Sequence, residues 1–202
     1  TCMVIGGAIV APVLAFGALP FPVPSVAAFM RAAWPVALLV PLALAIVLPW
    51  ALATWDPRVE SMATRPIALL DAAFVLTVTT MVAWACVQVA TWGTRSSGID
   101  AARNALGFVG LALIGRWAGG RDVGSVLPVG YVVAAAFFGG ATREDAAWWA
   151  WLARPAGDRS SWEQAAVLLA IGIVLTIAGP RDRKSTRLNS SHTDISRMPS
   201  SA

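Results

Sequence analysis

Few side chains in this 202-residue chain are of the types that do chemistry, and their spacing assembles no reaction centre. The single His, His192, lies in the last 21 residues, so Ser/His/Asp and Cys/His relays have no base elsewhere. Cys2 and Cys86 sit in separate apolar runs, with no metal-ligand spacing and no disulfide framework. No HExxH, phosphate-binding loop or dinucleotide glycine pattern occurs. No catalytic residue, cofactor or metal is therefore expected. What remains is a set of lone polar groups in apolar runs. Asp71 falls about one turn into such a run, in RPIALLDAAF. An acid there is a functional candidate by default. The plainer reading is an interfacial acid near a positive helix N-terminus, within reach of Arg65. Arg116 closes another run, where its long stem lets the charge snorkel to water. Gln88, Asn104, Thr77, Thr79 and Thr80 read as hydrogen-bond partners between helices. Trp84, deep in a run, reads as lipid contact or helix packing. An intramembrane enzyme would have Asp71 as its one acid, with no evident partner.

The elements that must position these groups are long and apolar. The chain is 57% hydrophobic and 13% charged, against about 25% charged in soluble domains. Six apolar stretches stand out: 2–18, 34–54, 68–92, 101–118, 124–140 and 163–180. A helical span needs roughly 20 such residues. The runs are continuous rather than alternating, which excludes a transmembrane β-barrel. Helices are then the spanning form left, because backbone groups must pair internally in lipid. The expected fold is all-α: a polytopic transmembrane helix bundle of about six spans. Trp34, Trp50, Trp55, Trp92, Trp117 and Trp162 fall at or near the span ends, where indole rings favour the headgroup level. Pro35, Pro41 and Pro49 all fall in the second stretch and are expected to kink it. Gly107, Gly110, Ala166 and Ala170 would let helices approach closely.

The domain organisation divides near residue 181. Residues 1–181 hold eleven Arg, nine acids and no Lys. Residues 182–202, DRKSTRLNSSHTDISRMPSSA, hold the only Lys, the only His and six Ser. This segment resembles a translated sequencing-library adapter, and is expected to be a non-native or disordered tail. The helical domain, starting at Thr1 inside an apolar run, is expected to be truncated at both ends. The basic balance owes much to the tail, so no nucleic-acid partner is inferred. Arg residues divide six against five between the two sides, which sets no orientation under the positive-inside rule.

Two connections carry more than turn chemistry. The second, TWDPRVESMATRPIALLD, is mixed in charge and long enough for one or two helical turns. It reads either as a docking element or as a solvated turn. The fifth contains REDAAWWAWLARPAG. Asp145 can cap a helix that Pro155 ends. Trp148, Trp151 and Leu152 then share one face, so a short helix lying in the membrane interface, anchored by these three, is expected. The first connection, LPFPVPSVAAFMRAA, favours an extended turn through its prolines.

Six spans, a charged segment between the second and third, and an amphipathic piece between the fifth and sixth resemble the membrane subunit of ABC-type exporters. ARNALGFVGLALIGRWAG and LPVGYVVAAAFFGG are also similar to permease-like proteins of high-GC bacteria. The resemblance implies a multi-pass protein of the bacterial inner membrane and a separate ATPase subunit. It further implies a path formed by two copies or by a copy and a homologue. The coupling segment would be 57–66, with Arg58, Glu60 and Arg65, and the outer piece 142–155. The alternative is a membrane scaffold or accessory protein without transport activity.

Overall fold

The computed structural model describes residues 20–24, 31–35, 39–52, 67–91, 95–140 and 143–179. The first apolar stretch, the segment holding Arg58, Glu60 and Arg65, and the tail from 182 lie outside the described residues.

The described parts of the proline-rich first connection are extended. Strand β1 (Pro20–Pro24) pairs antiparallel with β2 (Arg31–Pro35), with Pro20 opposite Pro35 and Pro24 opposite Arg31. Proline fixes φ and pushes the preceding residue towards extended backbone. This short ribbon stands beside an otherwise all-helical fold, and it takes Trp34 out of the second apolar stretch. Helix α1 (Val40–Ala51) begins only after that, with a proline in its first turn and Pro49 inside it. Twelve residues rise roughly 18 Å, well short of a bilayer's hydrocarbon core of about 30 Å. The expected second span is therefore a short helix.

Four longer helices follow: α2 (Ile67–Thr91), α3 (Arg95–Gly119), α4 (Arg121–Phe138) and α5 (Arg159–Ala178). Three contain segments long and apolar enough to cross a membrane: Ile67–Gln88 of α2, Arg121–Phe138 and Arg159–Ala178. These match the third, fifth and sixth stretches. The fourth, α3, is a helix as expected, but it carries Arg103, Asn104 and Arg116 and is the axis of the bundle. Ala101, Ala105, Val109 and Leu113 of α3 close one core cluster with Leu44, Leu48, Val75 and Val82. Phe108 and Ala112 close a second with Ala45, Ala135, Trp151 and Leu152. Asp100 and Arg103 of α3 are inside because every other helix packs around it.

Small residues set the closest approach. A Cβ on Gly110 would stand 2.4 Å from the Leu168 carbonyl carbon, and one on Gly172 would stand 2.9 Å from the Gly110 oxygen. Helices α3 and α5 therefore run side by side with backbones nearly touching. Ala166 and Ala170 face outward, and Ala165 and Gly172 take the inward positions instead. The outer faces carry large apolar side chains, among them Leu69, Phe74 and Trp84 on α2, Val126 and Phe138 on α4, and Val167 and Val174 on α5. An open depression of about 500 Å³ on α2 is lined by Leu76, Thr77, Thr80, Met81 and Trp84.

Candidate functional site

Asp100 and Arg103 lie one turn apart on α3, both wholly buried, with Arg103 Nη2 3.2 Å from Asp100 Oδ1. A buried ion pair survives only where further hydrogen bonds satisfy what water once did. Arg103 has them. Its Nη1 donates to the carbonyls of Arg154 and Pro155, at 3.1 Å each, and to Ser161 Oγ at 3.0 Å. Its Nη2 donates to the Leu152 carbonyl at 3.3 Å, and both Nε and Nη2 reach Asn104 Oδ1 at 3.4 Å. Arg143, 38% exposed, donates to the other Asp100 oxygen. It also reaches the carbonyls of Ala153 and Arg154 at 3.4 Å. One carboxylate therefore serves two guanidinium groups.

The carbonyl acceptors, those of Leu152, Ala153, Arg154 and Pro155, belong to the α4–α5 connection, and its conformation overturns the expected interfacial helix. Residues 143–158 form successive turns, with Ala150 N–H donating to Ala147 O and Ala153 N–H to Ala150 O. Trp151 and Leu152 are buried, while Trp148 is 74% exposed. The three do not share an anchoring face, because the chain folds inward at Ala150–Ala153. The Trp151 indole lies where a Cβ on Gly107 would be, 2.4 Å from Cη2. It stacks on Tyr131 with centroids 4.9 Å apart and tilts against Phe108 at 5.3 Å. Tyr131 lies seven residues before the end of α4, so the indole reaches roughly 10 Å below that end.

The buried loop has its backbone groups met by side chains. Tyr131 Oη donates to Trp149 O at 3.1 Å and accepts from Leu152 N at 3.4 Å. Gln164 donates to Trp148 O at 2.7 Å, and Trp162 to Ala156 O at 3.0 Å. Asp158 caps α5, accepting from Ser161 N at 3.1 Å and from Arg154 at 2.9 Å. Slight burial pushes the Asp158 carboxyl up. Hydrogen bonds from Ser160 and Arg154, the Arg154 charge and the Ser161 N–H outweigh it and hold the group below the usual carboxylate range. A lowered folded value means stabilisation that is full above the unfolded value of about 3.9. It is lost as pH falls through the folded one. Asp158→Ala is expected to cost about 1 kcal/mol at neutral pH. The gap between parent and variant should close in acid, as measured by thermal unfolding across pH.

Comparison with protein-family models, curated proteins and solved structures finds no match. The site must therefore be read from its own geometry.

The other singled-out residues are placed as follows. Asp71 and Arg116 meet at 3.9 Å at the opposite end of the bundle, and Arg116 also donates to Leu52 O at 3.1 Å. Arg116 is thus held by protein groups rather than snorkelling free. Gln88 is exposed, and the Thr77 hydroxyl donates to Ala73 O of its own helix at 2.8 Å. Neither serves as a bond between helices. Thr79 is buried, with no hydrogen-bond partner for its hydroxyl. Trp84 is exposed on the apolar face of α2. Among the described residues no three His, Cys, Asp or Glu side chains come together as metal ligands. Asp100 and Arg143, which complete the cluster, were not picked out by sequence reasoning. The available signal was the D-x-x-R-N spacing, which puts an acid and a base on one face of an otherwise apolar helix.

Proposed function

We propose that this chain is a multi-pass protein of the cell membrane, acting as a permease-like subunit of a transporter driven by a separate ATPase. The observation carrying this reading is the non-helical stretch Ala150–Ala153, buried inside the bundle, with the carbonyls of the loop there held by Arg103. Irregular backbone within a membrane-embedded bundle is tolerated where protein buries it or where it lines a path. Ionisable groups at such depth are expensive, and they mark pathways and moving parts more than static packing. A scaffold could close the α4–α5 hairpin with an ordinary exposed turn and needs no buried charge. The large apolar side chains on the outer faces of α2, α4 and α5 support the membrane placement. The described bundle is filled with side chains, which favours a path formed between two copies or with a homologue.

Co-expression with the ATPase encoded nearest to the gene, purification through a tag on this chain and reconstitution into liposomes test the reading. The ATPase is expected to co-purify, and its hydrolysis rate to change when this chain is present. Replacing Arg58, Glu60 and Arg65 together with alanine is expected to abolish that response. An ATPase that is neither retained nor affected would put the scaffold reading in its place.

A further inference from the structure

We propose that the Asp100–Arg143 ion pair is a releasable latch that holds Trp151 as a plug between α3 and α4, with Arg103 as the pivot that stays in place. One carboxylate here faces two guanidinium groups. Arg103 cannot let go cheaply. It is wholly buried, and its departure would strand a charge and the carbonyls of Leu152, Arg154 and Pro155. Arg143 can let go. Its side chain is 38% exposed, so water can replace its acceptors. When it leaves, Asp100 keeps the Arg103 charge at 3.2 Å as an ion-pair contact, without a hydrogen bond to its Oδ1.

The loop is built to move on one side only. Arg103 grips its C-terminal limb at residues 152–155 and also Ser161 at the start of α5. The N-terminal limb is joined to α4 through Gly139 and Gly140, and Gly140 has φ +121°, in the region that favours glycine. Arg143 ties that limb to α3 through Asp100, and also to the C-terminal limb through the carbonyls of Ala153 and Arg154. Its release loosens the start of that limb at residues 143–146, and the bonds of residues 147–149 to Gly139 O, Gln164 and Tyr131 must then open for the Trp151 indole to withdraw from Gly107, Phe108 and Tyr131. The vacated space is flat and mainly apolar, with the Tyr131 hydroxyl at its rim, and it suits a planar apolar group. The proposal does not depend on an ATPase partner, so its failure and the failure of the transport reading are separable.

The test uses the full chain in lipid nanodiscs, with Cys2 and Cys86 replaced by alanine. Ala150→Cys reports on the loop and Val75→Cys on α2, both at fully buried positions. The readout is the rate of labelling by a membrane-impermeant maleimide. With Arg143→Gln, labelling at 150 is expected to accelerate by roughly tenfold or more, the ratio expected from losing a charge-assisted contact. Labelling at 75 should be unchanged, and Arg143→Lys should restore part of the protection at 150. An unchanged rate at 150 overturns the latch. A parallel rise at 75 also overturns it, because Arg143 would then brace the whole bundle.

Discussion

Replacing Arg103 with methionine is expected to lower the free energy of unfolding by about 3–5 kcal/mol, the cost of breaking a buried pair from one side. The substitution keeps much of the side chain's length and its apolar stem, so the loss is of donors rather than of volume. The carbonyls of Leu152, Arg154 and Pro155 lose their bonds to Arg103, and Asp100 keeps Arg143 alone. Chemical denaturation in detergent micelles, followed by tryptophan fluorescence, measures the effect directly. Arg103→Lys should recover less than half of it. A guanidinium presents five donors in a rigid fork, and here they fan out to three carbonyls, a hydroxyl and an amide. An ammonium on a flexible stem cannot reach that set at once. An unfolding midpoint for Arg103→Met equal to the parent's would mean that the loop carbonyls find other partners, and the site would lose its organising residue.

The same residue shows what a sequence makes legible and what it hides. Apolar length is local, so α2, α4 and α5 are readable to within a few residues: 68–92 against Ile67–Thr91, 124–140 against Arg121–Phe138, and 163–180 against Arg159–Ala178. Counting apolar residues failed at 34–54. Pro35 there is not a kink within a long helix but the edge of an extended ribbon, and the helix waits until Val40. The loop was misread for a different reason. Trp148, Trp151 and Leu152 do fit one helical face, and an isolated peptide with that pattern would lay it on a lipid surface. What unwinds the segment is a donor 49 to 52 residues away in the chain, Arg103, which satisfies three loop carbonyls and removes the need for internal helical bonds. No window of local periodicity contains that information. The D-x-x-R-N spacing could have flagged the pair, but its partner Arg143 lies 43 residues from Asp100 and is brought near only by the α4 turn.

Gly107 and Trp151 are expected to behave as one unit, and this yields the second large effect. Trp151→Ala removes an indole that is buried against Gly107, Phe108 and Tyr131, at an expected cost of about 3–5 kcal/mol. Gly107→Ala adds a methyl to a space the indole already fills, with three ring carbons within 2.9 Å of the new Cβ. Overpacking of this kind costs about 1–3 kcal/mol, although alanine is otherwise the better helix former by about 1 kcal/mol. Contacting residues need not add, and here the sign of the coupling is set by geometry. Once Trp151 is alanine, the Gly107 methyl meets open space, partly fills the cavity and gains its helix propensity. Gly107→Ala should therefore destabilise the parent and stabilise the Trp151→Ala variant. Four unfolding curves measured under one condition close the cycle. Additive effects would place the indole somewhere other than against Gly107, and the loop would then not reach the axis of the bundle. A reversal of sign would place it there by a measurement that requires no knowledge of what the protein does.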